Sequence, residues 1–284
     1  TVVIGRNQNC WKECRVNFLE EEGGYLVRRL SGGGAVFHDL GNLNFTFIVR
    51  KPDYDVDRQL QVILEAVRRL GIQAEKTGRN DITVEGRKFS GNAFYQTGDC
   101  CYHHGTLLVH ADKENMSRYL NVPREKLASK GVSSVKSRVA NLDEFCPGLT
   151  VDRVKAALAE AFSQVYGQVA EKMEEKELPE DAIGPLTEKF ESWQWKYGRK
   201  IPFEHEMEQR FAWGGIQMQF HVDGGRIQEV NVFSDAMDQE LIGNLSERLK
   251  GCPYDGNAMC EAVKEAGTEG GIRQDILSLI KESM

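Results

Sequence analysis

Residues 28–42 read RRLSGGGAVFHDLGN, a glycine triplet between two apolar runs that is preceded by two arginines. Glycine lacks a Cβ atom, so its backbone adopts positive φ readily and its N–H groups can converge on a phosphate or carboxylate. Arg28 and Arg29 are placed to add fixed positive charge. The run contains neither a Walker A motif nor a Gly-x-Gly-x-x-Gly motif. A plain tight turn between strands would also explain a glycine triplet.

Three further glycine-marked polar segments follow, each beside a strand-like apolar run: GRNDITVEGRKFSGNA at 78–93, YHHGT at 102–106 and SKGVSSVKSRVANL at 129–142. In the first of them, the Glu85-Gly86 pair predicts a short β-hairpin that carries Asp81 at its start and Lys88 in its second strand. A nucleotide or acyl-phosphate site assembled from strand ends needs several such segments together. No single one of the four is sufficient evidence.

Length and composition allow one large domain and a smaller one, since the chain has 284 residues of which 40% are hydrophobic. The net charge of -7 argues against a nucleic-acid binder, although a local basic patch could still recognise an acidic partner. The seven cysteines include no Cys-x-x-Cys pair and no zinc-ligand spacing, which indicates reduced thiols in a cytosolic protein. We expect no signal peptide, and the sequence has no apolar run long enough for a membrane span.

Periodicity predicts the main elements of the chain. It indicates a half-buried strand at 43–49, a helix at 60–70, a helix capped by Thr150 that ends near Gly167, a hairpin at 215–233, and helices at 241–249 and 272–280. Residues 171–185 are charged, contain two prolines and are predicted to be an exposed connection.

Taken in order, these motifs resemble lipoate-protein ligase A. The resemblance rests on RLSGGGAVFHD at 29–39, RND at 79–81, KFSG at 88–91, HHGTLL at 103–108, KGV at 130–132 and SRV at 137–139. It extends to SWQW at 192–195, FAWGG at 211–215 and LKGC at 249–252, which are similar to the accessory domain of the two-domain form. Nearly the whole chain is therefore covered. The chain begins with TVVIGR, a strand already under way, and we expect the family's N-terminal strand and helix to be missing before it.

The resemblance implies an α+β fold of the biotin/lipoate ligase type, related to class II aminoacyl-tRNA synthetases. We expect a mixed, largely antiparallel sheet with helices, and not a Rossmann sheet. The catalytic domain is expected to span residues 1–202, and a small α+β accessory domain residues 203–284.

The resemblance also implies the activity, that of a cytoplasmic ATP-dependent ligase. Lipoate and ATP, with Mg²⁺, would give lipoyl-adenylate and pyrophosphate. A lysine of a lipoyl-accepting domain would then attack the mixed anhydride. The expected partners are the E2 subunits of 2-oxoacid dehydrogenases and the H protein of glycine cleavage.

The resemblance assigns site residues to the glycine loop at 28–42 and to the segments at 78–93 and 102–106, but none to the segment at 129–142. Lys88 is the predicted catalytic cation, which would touch the carboxyl oxygen and the α-phosphate, and Asp81 is the predicted Mg²⁺ ligand. The predicted ligand-binding residues are Arg29, Ser31, Gly32, Gly33, Gly34, Ala35, Val36, Phe37, Asn42, Asn80, Asp81, Lys88, Ser90, Ala93, His104, Gly105 and Thr106. Outside this context, Lys88 would be a solvated hairpin lysine, Asp81 a turn residue and His104 a structural histidine.

Three alternatives remain open. An octanoyl- or lipoyl-transferase of the same fold works without ATP through a cysteine thioester. Such relatives place the nucleophilic cysteine near the segment that corresponds to residues 79–81, where this chain has none, and Cys100 and Cys101 look like buried small residues. A biotin ligase has a different nucleotide loop. A non-catalytic protein that binds an acyl-adenylate or a carrier domain would have no need of Lys88, Asp81 and the glycine loop together.

Overall fold

A computed structural model describes residues 1–78, 81–121, 138–267 and 270–284. They form two compact units whose segments alternate along the chain. The first unit contains Thr1–Val3, Cys14–Leu26 and Val36–Glu188, and the second contains Ile4–Glu13, Val27–Ala35 and Lys189–Met284. The domain boundary at residue 202 stays a prediction.

The strands are β1 (Val2–Ile4), β2 (Leu26–Arg28), β3 (Val36–Phe37), β4 (Asn42–Arg50), β5 (Glu75–Thr77), β6 (Asp81–Val84), β7 (Arg87–Thr97), β8 (Cys100–Leu108), β9 (His205–Phe211), β10 (Gly214–Asp223) and β11 (Arg226–Ser234). The helices are α1 (Cys10–Glu13), α2 (Val16–Glu21), α3 (Val56–Arg69), α4 (Lys113–Tyr119), α5 (Val151–Tyr166), α6 (Glu180–Glu191), α7 (Trp193–Tyr197), α8 (Gln239–Leu249), α9 (Gly256–Glu265) and α10 (Gly271–Ser283). A small sheet has the order β2-β1-β3.

A five-stranded sheet with the order β4-β8-β7-β6-β5 forms the centre of the first unit, and its neighbouring strands pair antiparallel. One face of this sheet, here called the helix face, is covered by α3 and α5. Its apolar core contains Leu60 and Ile63 of α3, Val154 of α5, and Ile82 and Leu107 of the sheet. The opposite face is called the site face below. The predicted α+β fold with a largely antiparallel sheet is confirmed.

The predicted hairpin at 82–93 is also confirmed. Glu85 and Gly86 join β6 to β7, and their φ angles of 51° and 74° are both positive. Two positive φ angles are what a type I′ turn requires, and its twist matches the twist of the flanking strands. The turn therefore fixes the pairing of Val84 with Arg87 and of Thr83 with Lys88.

A β-bulge at Phe89 changes which side chains share a face of β7. Thr83 pairs with Lys88 but Ile82 pairs with Ser90, so Phe89 is an extra residue in the second strand. Phe89 and Ser90 are consecutive and both are buried on the helix face. In a regular strand, residues three positions apart point to opposite faces. The bulge instead places Lys88 and Gly91 on the same face.

The second unit is built on a three-stranded antiparallel sheet with the order β11-β10-β9, packed against α8, α9 and α10. The predicted hairpin is confirmed as β10 and β11, whose turn contains Gly224 and Gly225 with φ of 55° and 70°. Residues 4–13 and 27–35 belong to this unit. The backbone N–H of Ser234 donates to the carbonyl oxygen of Asn7 at 2.8 Å, and that of Gly33 donates to Ala236 at 3.1 Å.

Most of the other predicted elements are present. The side chain of Thr150 caps α5 by accepting from the Arg153 N–H, and Gly167 ends the helix with φ 68°. The described side chains of residues 171–185 are exposed as predicted, but residues 180–191 form α6, with Pro185 inside it. The helices α1, α2, α4, α7 and α9 were not predicted. The cysteines of the described residues form no disulfide, and none of the described helices combines the length and hydrophobicity needed to cross a bilayer.

A buried histidine lies between α3 and the sheet. The His103 ring is fully buried, with Nδ1 3.1 Å from Oε1 of Gln59 and Nε2 2.8 Å from Oδ1 of Asn92. Burial, with a smaller contribution from the nearby His104, lowers the pKa of His103 to about 4. A neutral imidazole donates through only one nitrogen. The other nitrogen therefore needs a donor, but an amide oxygen faces each of them. Rotating the Gln59 amide points its Nε2 at the ring Nδ1, which accepts from it. This also provides a partner for Gln59 Nε2, which is otherwise buried without a hydrogen bond.

We expect the neutral state of His103 to make stability depend on pH. The unfolded imidazole binds a proton as the pH falls through about 6.5. The folded imidazole binds one only near the pKa of about 4. Protons therefore favour the unfolded chain in this window, and the free energy of unfolding decreases by on the order of 3 kcal/mol as the pH falls from about 6.5 to 4.

Denaturant titrations of wild type and His103→Gln over this pH range test this. The variant is less stable at neutral pH because it disrupts a buried network, but its stability changes less with pH. NMR of the wild-type ring at pH 5 gives a second readout, in which the His103 ring stays neutral. Equal pH slopes together with a protonated ring at pH 5 would contradict the assignment.

Candidate active site

The site face carries two adjacent rows of side chains that run across the strands. The first row consists of Asp81, Gly91, Thr106 and Asn44, which are paired in register from β6 through β7 and β8 to β4. The second row consists of Ala93, His104 and Thr46. The predicted residues Asp81, Ala93, His104 and Thr106 therefore lie on one face. The rows combine small and polar side chains, which leave room for a ligand and provide hydrogen-bonding groups for it.

Lys88 extends over the first row. Its Nζ lies 2.6 Å from Oδ1 of Asp81, and both side chains are largely shielded from water. A Cβ atom on Gly91 would lie only 2.8 Å from this Nζ. The absence of a side chain at Gly91 therefore allows the ammonium group to cross the strand. Glycine inside a strand is typical of such a close approach.

A second cation reaches the same carboxylate from another part of the chain. Nη2 of Arg138 lies 3.5 Å from Oδ2 of Asp81. The segment that carries Arg138 is attached to β7, because Val139 forms a parallel bridge with Lys88 and the Ala140 N–H donates to the Lys88 carbonyl at 2.9 Å. The side chain of Asn141 pairs with the backbone of Ala111. The sequence motif indicated this segment but did not single out Arg138.

Glu144 stabilises the next turn of the chain. Burial disfavours its ionised form, but hydrogen bonds from Lys113, the Asn141 N–H and Arg87 outweigh that effect and lower its pKa to about 2. Lys113 and Arg87 both form ion pairs with it. Since Arg87 precedes Lys88, the ionised Glu144 connects the turn after Asn141 to the strand that carries the candidate catalytic lysine.

An aromatic row continues the site face beyond His104. The rings of Tyr95 and Tyr102 are 5.1 Å apart, and that of Tyr102 is 5.5 Å from His104. These tyrosines pair across β7 and β8, one row beyond Ala93 and His104. Polar groups at one end and rings at the other suit a ligand with a charged head and an apolar chain. Strand alternation from His104 could have identified Tyr102 in the sequence.

Asn42 is a further candidate contact. It begins β4, and both its Oδ1 and its Nδ2 are buried without a hydrogen-bond partner in the described part of the chain. An unsatisfied buried amide costs free energy, which a ligand that pairs with it would recover.

Some predicted residues occupy other places. Ser90 lies on the helix face with its Oγ buried, because the bulge turns it away from Lys88. Gly105 lies on the same face, where a Cβ would come within 2.6 Å of the Gly91 oxygen and the Phe45 ring. Val36 and Phe37 pair with β1, and Phe37 packs against Tyr119. Asn80 lies outside the described residues.

The glycine loop belongs to the second unit, and several of its polar groups are engaged within that unit. The Arg29 guanidinium donates to the carbonyl oxygens of Gly32 at 2.7 Å and Gly34 at 2.8 Å, and to Ser31 Oγ at 3.1 Å. Gly33 has φ 87°. A Cβ on Gly32 would lie 2.5 Å from the Ala236 oxygen. Packing against residue 236 thus explains part of the glycine content, and ligand contacts by Arg29, Ser31, Gly32–Gly34 and Ala35 stay predictions.

Arg28 is buried and serves the backbone. It is 9% exposed, and its guanidinium donates to five carbonyl oxygens, those of Gly5, Arg6, Gln8, Trp195 and Lys196. Burial is the main cause that lowers its pKa to about 10, with smaller opposing effects of Cys10 and Arg6, so it stays charged at neutral pH. Arg28 therefore holds three stretches of the second unit together.

The described residues contain no group of three or more histidine, cysteine, aspartate or glutamate side chains that could hold a metal ion by themselves. Asp81 offers one carboxylate, which Lys88 and Arg138 contact. Mg²⁺ bound to ATP takes most of its ligands from phosphates and water and needs only one or two protein carboxylates. One carboxylate on this face fits that requirement.

The chain matches two family models. Residues 1–163 match the lipoyl protein ligase A/B catalytic domain, and residues 200–280 match the C-terminus of bacterial lipoate protein ligases. The order of the sequence motifs led to the same family and to its two-domain form, and both are confirmed.

Solved structures agree with this. P. falciparum LipL1 in complex with lipoate is 30% identical over 98% of this chain and 84% of that chain, with a TM-score of 0.82. A bipartite lipoate protein ligase from Thermoplasma acidophilum, described with its E2 lipoyl domain, is 31% identical over 70% of this chain and 82% of that chain, with a TM-score of 0.60. Lipoate-protein ligase A bound with ATP is 28% identical over the same shares, with a TM-score of 0.59. The chain therefore belongs to the lipoyl protein ligase A/B catalytic-domain family and has the two-domain form of a lipoate-protein ligase.

Proposed function

We propose that the protein is an ATP-dependent lipoate-protein ligase. A carboxylate oxygen of lipoate attacks the α-phosphorus of ATP, and the bond to the β-phosphate breaks to release pyrophosphate. The amine of an acceptor lysine then attacks the acyl carbon of lipoyl-adenylate, and AMP leaves. The main support for this proposal is the Lys88 ammonium on the site face, which extends over Gly91 to within 2.6 Å of Asp81.

The chemistry of the first step favours a cation at this position. The lipoate carboxylate and the α-phosphate are both negative, so their approach is opposed by charge repulsion. An ammonium group that donates to an oxygen of each lowers this cost, and it can stabilise the charge that develops in either half-reaction. Asp81 holds Lys88 in place. Mg²⁺, when bound with ATP, would neutralise further phosphate charge.

The ligands of the similar structures support the choice of substrates. One of those structures contains lipoate and another contains ATP. The aromatic row formed by Tyr95 and Tyr102 suits the apolar chain of lipoate, with its carboxylate directed to Lys88. A third structure was described with an E2 lipoyl domain, which supports a lipoyl-accepting domain as the acceptor.

The ATP-independent transferase is the weaker candidate. Its cysteine nucleophile would have to reach the acyl carbon beside Lys88. Among the described residues, no cysteine belongs to either row of the site face. Cys101 is fully buried on the helix face. Cys100 is six residues from Thr106 along β8, a distance of roughly 20 Å in a strand.

The decisive experiment is lipoate-dependent exchange between ATP and radiolabelled pyrophosphate, measured without any acceptor protein. Exchange is expected for the ligase. A protein without exchange that moves an acyl group from an acylated donor protein in the absence of ATP would be a transferase.

Replacing Lys88 tests whether its ammonium group takes part in the reaction. We expect Lys88→Ala to slow both adenylate formation and transfer from supplied lipoyl-adenylate by a factor on the order of a hundred or more, because one charged donor serves both steps. The matched control is Lys76→Ala, which removes a lysine of β5 whose partner is Asp57 of α3. Normal rates of Lys88→Ala in both half-reactions would remove Lys88 from the site.

Replacing Asp81 separates its two suggested roles. We expect Asp81→Asn to weaken Mg²⁺-dependent adenylation more than transfer from supplied lipoyl-adenylate, since only the first step handles the charge of all three phosphates. A Mg²⁺ titration of the exchange reaction measures this for wild type and variant. Equal losses in both steps would mean that Asp81 only positions Lys88.

Gly91 provides a steric test that leaves the Lys88 side chain intact. In Gly91→Ala the new Cβ displaces the ammonium group, because it would lie 2.8 Å from Nζ. We expect kcat to fall by about tenfold or more with little change in Tm, since the flexible end of a lysine can move away. Gly184→Ala, at an open position of α6, is the control. Unchanged kcat in Gly91→Ala would show that the position of Nζ is unimportant.

A further inference from the structure

Three aromatic rings are in contact on the surface of the second unit. The Tyr197 ring stacks on Trp11 at a centroid distance of 5.5 Å and meets Trp193 at 4.1 Å with the ring planes tilted by 32°. Trp11 is 51% exposed and Trp193 is 61% exposed. We call these three residues the aromatic ladder.

The ladder is not part of the hydrophobic core of the second unit. That core consists of side chains of β9–β11 and α8–α10. Single exposed apolar residues are ordinary, but contiguous exposed rings mark contact surfaces, and tryptophan and tyrosine are enriched there. Indole and phenol rings also lose little rotamer freedom when they become buried.

Hydrogen bonds to the backbone hold the segment that carries Trp193 and Tyr197. Arg28 donates to the carbonyl oxygens of Trp195 and Lys196, and the indole N–H of Trp195 donates to the Arg28 carbonyl at 2.7 Å. Cys10 Sγ lies 3.8 Å from the backbone carbonyl oxygen of Tyr197. A surface fixed in this way loses less conformational entropy on binding. Arg28 also directly precedes the glycine loop.

The segments that carry the ladder are basic although the whole protein is acidic. Residues 4–13 and 189–203 contain six basic and two acidic side chains, whereas the chain has a net charge of -7. Two of the six cations, Lys12 and Arg199, are paired with Glu208 and Glu229 outside these segments. Nζ of Lys196 lies 5.4 Å from the Tyr197 ring, and Arg6 and Lys189 lie over the neighbouring Trp195 ring at 4.1 and 5.0 Å. We call these three cations the basic rim. A basic surface on an acidic protein favours an acidic partner.

We infer that the aromatic ladder and its basic rim are the docking surface for an acidic face of the lipoyl-accepting carrier domain. This inference rests on the proposed function. The second half-reaction requires a folded protein to present a lysine, whereas lipoate and ATP are small. Aromatic anchors with cations beside them are typical of the residues that dominate binding energy, and complementary charge accelerates encounter.

The test separates docking from chemistry. Trp11→Ala and Trp193→Ala are each expected to raise the KM for a purified carrier domain by about tenfold, with lipoate-dependent exchange unchanged in the absence of carrier. Lys196→Glu is expected to raise this KM most at low salt. Tyr25→Ala is the matched control, because Tyr25 is an aromatic residue of the first unit that is 70% exposed, and it should behave as wild type.

The outcomes are distinct. If exchange is absent from wild type, the proposed function fails. If exchange is present in every protein and the carrier KM of the ladder variants equals that of Tyr25→Ala, only the docking surface is wrong. Loss of exchange in the ladder variants would place the rings in the small-substrate site or in the fold. A change of oligomeric state in these variants would assign the ladder to a second copy of the chain. Either result overturns the inference.

Discussion

The proposed chemistry depends on one contact, the Lys88 ammonium group that lies across the Cα of Gly91 and pairs with Asp81. Steric and electrostatic conditions must hold together for this contact to exist. Gly91 provides the space, the bulge at Phe89 brings Lys88 and Gly91 to one face, and Asp81 opposite Gly91 provides the charge. Partly buried charges are costly unless they are paired. The site therefore needs Asp81 even before any ligand arrives.

Two consecutive arginines show how the same residue type can serve different parts of the backbone. The sequence suggested that Arg28 and Arg29 both supply charge to a ligand. In the structure, Arg28 is buried among carbonyl oxygens from three stretches of chain, and Arg29 donates to carbonyl oxygens of the glycine loop itself. A guanidinium group has five donors in a fixed plane, so it can serve several carbonyl acceptors at once, and a lysine could not replace it there.

Local patterns predicted the elements well because their causes are local. The Glu85-Gly86 turn, the Thr150 cap and the Gly224-Gly225 turn follow from side-chain and backbone preferences within a few residues. The site face was partly predictable: the family resemblance assigned Asp81, Ala93, His104 and Thr106, which strand pairing brings to this face. It also assigned Ser90, which lies on the opposite face because a single extra residue, Phe89, reverses the alternation, and no composition signal marks a bulge. The buried amide of Asn42, the pairing of Arg138 with Asp81 and the grouping of residues 4–13 and 27–35 with residues 189–284 depend on long-range contacts.

That grouping constrains the order in which the protein can fold. Arg28 is bonded both to residues about twenty positions earlier and to residues 167 and 168 positions later. Closing so long a loop costs conformational entropy before any contact compensates for it. During synthesis, which proceeds from the N-terminus, residues 4–13 and 27–35 must wait for the last third of the chain before their contacts exist. The first unit can assemble much of its sheet earlier. Until the second unit has formed, Arg28 and the carbonyl oxygens of residues 5–8 that it later contacts stay exposed to water in the nascent chain.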